Sequence, residues 1–178
     1  METKRSNADP ANSKLKKFFT DQLADIYWAE KKLVNTLPKL EEAATSQKLK
    51  NAFSAHFRQT EEHVSRLEEV FNMIGEESRA EECPAIAGIV DEGEEIIDDT
   101  DKGTAQRDVG LIFAGQKAEH YEIATYGGLV QLAKTLGYED AANLLHQTLS
   151  EEKEADELLT QIAENDINYQ ASREPQKV

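Results

Sequence analysis

Cysteine, proline, basic charge and long apolar runs are all scarce in this chain. A single cysteine, Cys83, excludes an intramolecular disulfide framework and any zinc site built from several thiolates. Twenty Lys and Arg face thirty-five Asp and Glu, a formal charge of −15. Phosphate backbones and anionic membrane surfaces need a basic face, so neither nucleic acid nor membrane is expected as a partner. No apolar run approaches the ~20 residues of a membrane span. The polar start METKRSNADPANS has no apolar core of a secretory signal. These absences lead to an expectation of a soluble cytoplasmic protein in a reducing compartment, open to cationic partners, metal ions included.

Strand periodicity is also missing, and helical periodicity fills the chain. Residues 1–13 read as a flexible N-terminal arm, 14–167 as one helical bundle and 168–178 as a flexible C-terminal tail. A first helix is expected over 14–43, where Leu15, Phe19, Ile26, Leu33 and Leu37 recur three and four apart. Pro38 would kink its last turn. Ser46 fits the cap of a second helix over 47–74, which carries Leu49, Phe53, Val64, Leu67 and Phe71 and stops at Gly75. A third long helix is expected over 105–136, ended by Gly137, and a fourth over 139–166. The joins near 45 and 137 are short. The connection over 75–107 is about thirty residues, acidic, with room for a short helix at Ala85–Ile97, and must cross the whole bundle. Two hairpins joined by one long crossover give the ferritin-like topology.

Several acids fall on the apolar stripes of these helices. At about 100° per residue, Glu119 lies near the centre of the stripe set by Ile112, Ile123, Tyr126 and Val130, Glu122 lies at its edge, and His120 lies well off it. Glu152 and Asp156 share the stripe of Leu145, Leu149 and Leu159, while Glu151 points aside. Glu30 sits in the stripe of Phe19, Ile26 and Leu33. His56 and His63 share one flank of the second helix, Gln59 is further to the edge, and Glu62 faces away. Folding each hairpin about its join brings Glu30 level with Thr60, and Glu119 level with 155. A carboxylate in a core must be paired, protonated or bound to a cation, and few interior Lys or Arg residues offer themselves as partners at these levels. Hard oxygen and nitrogen donors from four facing helices suit iron or manganese, and zinc as well. Against this, a single Glu on a helix is most often solvated, and the Glu-x-x-His pair of standard di-iron bundles is absent at these positions.

The segments AEKKL (29–33), AHFRQT (55–60), AIAGIVDEGEEII (85–97), QKAEHYEIATYGGL (116–129) and LSEEKEADELL (149–159) resemble the YciF-like family of bacterial ferritin-like stress proteins over about residues 14–166. The resemblance implies an all-α, ferritin-like four-helix bundle with one long crossover carrying a short extra helix. It also implies a homodimer, a two-metal carboxylate centre and a role in bacterial stress. Carried over by position, the metal ligands are Glu30, His56, Gln59, Glu119, Glu122, Glu152 and Asp156. Relatives can carry a glutamate where this chain has Gln59, and the resemblance does not extend to His63. Two metal ions, iron first, are the expected cofactors, with a small oxidant (peroxide or oxygen) or ferrous iron as the reactant. The alternative is a non-catalytic metal-binding or structural bundle that acts through protein partners. Tyr27, Trp28 and Val34 are expected either at the homodimer face or packed under the crossover.

Overall fold

The computed structural model describes residues 13–176, and the remainder of the expected N-terminal arm lies outside them. Four long helices carry the fold: α1 (Lys14–Ala43), α2 (Gln47–Met73), α4 (Ala105–Leu136) and α5 (Glu139–Ile162). A shorter α3 (Pro84–Asp99) lies in the crossover. After α5 the chain makes a π-helical turn at Ala163–Ile167 and ends in α6 (Asn168–Ala171). Helix therefore continues past 168, where a tail was expected to begin. Beyond it the Glu174 carboxylate accepts bonds from the backbone N–H groups of Ala105 and Gln106, at 2.7 and 2.9 Å, which ties the segment to the start of α4.

The long helices begin and stop where local chemistry directs. The Ser13 hydroxyl accepts from Lys16 N at 3.0 Å, and the Thr104 hydroxyl from Arg107 N at 3.2 Å, each satisfying an N–H with no partner inside its helix. Gly137 closes α4 with φ of +81°, a left-handed cap that glycine adopts without steric cost. Ser46 occupies the cap position of α2, but its side chain makes no capping bond. The Asp108 carboxylate, from α4, accepts instead from Thr45 N and Ser46 N, both at 2.7 Å. The α1 helix runs on through Pro38 to Ala43.

Packing follows the ring α1–α2–α5–α4, with α3 laid across α4 and α1. Asp108 at the start of α4 meets the α1–α2 join, and Phe19 stacks on Tyr138 with ring centroids 6.1 Å apart. The start of α1 thus meets the end of α4, so these helices run antiparallel. Every neighbouring pair in the ring is antiparallel, which is the ferritin-like arrangement. Gly110 permits the close approach of α3: a Cβ there would lie 2.4 Å from Ile96 Cγ2. Tyr27 is buried, edge-on to Phe71, and its hydroxyl donates to Glu68 at 2.6 Å. That places it in the α1–α2 seam and not on the outer flank. Trp28 and Val34 are partly buried.

Candidate metal centre

The core that these helices enclose is apolar at both ends and polar in the middle. Glu30 from α1, His56 and His63 from α2, Glu119 and Glu122 from α4, and Glu152 from α5 are all buried there. Their donor atoms form two groups in which one atom per residue lies within 4.8 Å of every other. The first holds His56, Glu119, Glu122 and Glu152, and the second Glu30, His63 and Glu152. Glu152 belongs to both and stands between them.

The distances are those of groups gathered around common points. His56 Nε2 lies 3.3 Å from Glu119 Oε1 and 3.6 Å from Glu152 Oε2. His63 Nδ1 lies 2.8 Å from Glu152 Oε1 and 3.5 Å from Glu30 Oε1, although neither approach is aligned as a hydrogen bond. The other ring nitrogen, Nε2, is 2.9 Å from Glu151 Oε2. Arg66 grips the same carboxylate through both guanidinium nitrogens, at 2.5 and 3.0 Å. An ionised Glu151 can only accept, so it keeps a proton on Nε2, and on the neutral ring that leaves Nδ1 as the donor atom facing Glu30 and Glu152. A carboxylate behind a histidine is the arrangement that orients metal-ligating imidazoles. The Tyr126 hydroxyl donates to Glu30 Oε1 and fixes that carboxylate from the opposite side.

Eight buried side-chain nitrogen and oxygen atoms have no hydrogen-bond partner among the described residues, and all eight belong to these six side chains. Elsewhere among the described residues buried side-chain nitrogen and oxygen atoms are paired, as in most proteins. Burial pushes Glu119 and Glu122 well above the usual carboxylate range, with the charge of Glu152 adding to the shift. Burial also raises Glu30. His56 is pushed down by burial. At His63 burial opposes the charged ring, but Glu152 and Glu30 outweigh it and lift the group to about 11. For Glu152 burial acts upward, yet His63 and His56 bring it below the ordinary value. Without a cation, the centre is thus held together by protons. Four carboxylates and two imidazoles are a donor set for hard or borderline divalent metals. Two such ions would balance the four carboxylate charges, so the residues present fit a metal.

Among the Asp and Glu residues expected as ligands, Asp156 alone stands outside both groups. Asp156 is half-buried. The Gln116 amide donates to it at 3.1 Å, and His120, largely exposed, lies 3.4 Å away. It shares the stripe of Glu152 but sits one turn further on, where Gln116 faces it. Gln59 is half-buried and lines a cavity beside His56 and Glu119. His63, outside the expected set, is fully buried in the second group. Its spacing of seven from His56 had placed both on one flank, since two turns return to one face, although the resemblance did not extend to it. Both histidines therefore come from α2, and Thr60 stands three residues before His63, where a Glu-x-x-His motif would have its glutamate. The Thr60 hydroxyl donates to the His56 carbonyl at 3.0 Å. Glu151 and Arg66 were legible only as surface charges.

Fold and site together define a ferritin-like four-helix bundle with a buried His/Glu centre that could hold metal. The family described as Domain of unknown function (DUF892) matches residues 14–172, and the chain belongs to that family, with YciF-like proteins as its relatives. It is 43% identical to Protein YciF of Escherichia coli (strain K12) over 157 residues, covering 86% of this chain and 92% of that one. The crystal structure of the E. coli stress protein YciF matches with a TM-score of 0.83 at 41% identity, over 88% of this chain and 98% of that one. YcfI from Rhodopseudomonas palustris, a candidate structural protein, matches with a TM-score of 0.80 at 31% identity, over 89% of this chain and 98% of that one.

Proposed function

We propose that this chain is a two-metal carboxylate protein of the bacterial stress response, acting on hydrogen peroxide, dioxygen or ferrous iron. The observation that carries the reading is the set of eight buried, unpartnered donor atoms confined to one centre. Leaving such atoms unmatched costs several kcal/mol in sum, at about 1–3 kcal/mol per group, and bound cations remove that cost. His56, Glu119, Glu122 and Glu152 would hold one ion. Glu30, His63 and Glu152 would hold the other, with Glu152 shared. Iron is the metal we assign first, and manganese and zinc suit the same donors. Bound iron would supply one-electron redox chemistry at this site.

The chain's own side chains do the rest. Glu151 and Arg66 hold the His63 ring in one tautomer, and Tyr126 holds the Glu30 carboxylate. Full burial of Glu30, His63 and Glu152 keeps bulk water from that part of the centre, which strengthens the charge interactions there. We assign the protein to the cytoplasm and to a homodimer on the resemblance; among the described residues no helix is long and apolar enough to cross a membrane.

Protein loaded anaerobically with ferrous iron should consume oxygen or peroxide faster than Glu119→Ala prepared the same way. Equal rates would overturn the redox reading. The description of the R. palustris relative as a candidate structural protein favours a second reading, in which the metals only brace the bundle. That reading predicts metal binding and a chelator-sensitive melting temperature with no turnover.

A further inference from the structure

The two groups differ in what reaches them. A cavity of about 380 Å³ opens between α2 and α5, with Ala55, Leu158 and Leu159 in its wall, Arg58 and Glu154 among its lining, and His56 and Glu119 as the centre residues it touches. A smaller cavity of about 20 Å³, room for one water-sized molecule, lies on the other side between α1, α3 and α4. It too touches His56, Glu119 and Glu122, against apolar side chains such as Leu37 and Val90. Glu30, His63 and Glu152 line neither cavity. Glu30 and His63 are fully buried, backed on one side by Tyr126 and on the other by the Glu151–Arg66 pair.

Resting on the two-metal reading above, we propose that the α2–α5 cavity is a ligand site serving one metal position only. That position is the one formed by His56, Glu119, Glu122 and Glu152, and the Glu30–His63 position is closed to added ligands. Ala55, Leu158 and Leu159 give the cavity an apolar stretch beside the polar Arg58, Gln59 and Glu154. It admits a small, neutral molecule of the size of dioxygen or hydrogen peroxide, the reactants of the two-metal reading. The open position is therefore the one at which an external molecule is bound.

Nitric oxide, neutral and of dioxygen size, is the probe. The full chain is loaded anaerobically with ferrous iron, and uptake is followed with a nitric oxide electrode beside iron analysis. The expected result is one nitric oxide taken up for every two irons. Ala55→Leu, at an exposed position, narrows the cavity and should slow uptake roughly tenfold with iron content unchanged. Leu158→Ala, also at an exposed position, widens it and should speed uptake. Two nitric oxide molecules per two irons, or rates indifferent to both substitutions, would overturn this inference and leave the two-metal reading standing. Wild-type protein that retains no ferrous iron would overturn both.

Discussion

Arg107 and Asp108, in the first turn of α4, are 7% and 2% exposed. Glu119 and Glu122, three turns further along the same helix, are 3% and 0% exposed. Burial is equal and compensation is not. Both oxygens of Asp108 accept backbone N–H bonds. Arg107 donates to the Thr100 hydroxyl at 3.0 Å and the Ile97 carbonyl at 2.7 Å, and to the Thr100 carbonyl as well. Glu122 has neither oxygen bonded, and Glu119 leaves one unpartnered. The fold can satisfy a buried charge when it needs to. Where it does not, in the place where four described acids converge, the unmatched atoms form groups that could hold a cation.

Removing the cation should therefore matter most. Chelation of metal-loaded protein should lower its stability by about 4 kcal/mol where free metal had stood a thousandfold above its Kd, read as a fall in melting temperature. No fall would erase the difference between the two levels of α4. Next in size, Asp108→Ala should cost about 2 kcal/mol, since it leaves two N–H groups at the start of α2 without acceptors. That loss should be the same with and without chelator, whereas Glu122→Ala should cost stability only in the metal-loaded protein. Both comparisons are made by urea denaturation.

The pH dependence should separate the states further. Glu119, Glu122 and Glu30 are raised in the folded chain, mainly by burial, and His63 is raised to about 11. Above their unfolded values the native chain holds more protons than the unfolded one, so stability is lost as pH rises. The lowered Glu152 acts in the opposite sense, adding stability above its unfolded value that is lost as pH falls. His56, lowered by burial, also opposes the trend, since its contribution grows as pH rises to its unfolded value. The four raised groups outnumber these two. Chelated protein should accordingly melt at progressively lower temperature from about pH 5 to about pH 8. Metal-loaded protein should not, because metal binding displaces those protons. The smallest effect is expected from Asp156→Asn, which should leave the metal content unchanged and shift stability by less than ~1 kcal/mol. Loss of a metal equivalent would restore Asp156 to the ligand set.

Much of this was legible in sequence because long helices obey one period. The four spans were expected within a residue of their starts, since Ser13, Gly75 and Gly137 punctuate clear stripes. Glu30, Glu119 and Glu152 fell on those stripes, and register within each hairpin set Glu30 level with Thr60 and Glu119 close to the level of Glu152. The misses have physical causes. His63 lies on the flank of its stripe, where a few tens of degrees decide between core and surface. Asp156 lies on the stripe of Glu152, but a stripe gives direction and not depth. Arg107 and Asp108 escaped notice because the direction of a helix's first turn is set by the loop that covers it. The α4 stripe is also blurred by α3, which buries a second side of that helix.

The central claim is that the unmatched acids hold two metal ions through a shared Glu152. Elemental analysis of protein purified without chelator, wild type beside Glu152→Ala, tests it most directly. The account predicts stoichiometric iron, manganese or zinc at one ion for each of the two groups in the wild type, and loss of both in Glu152→Ala. Wild-type protein without stoichiometric metal, or a Glu152→Ala variant that keeps its full complement, would contradict it.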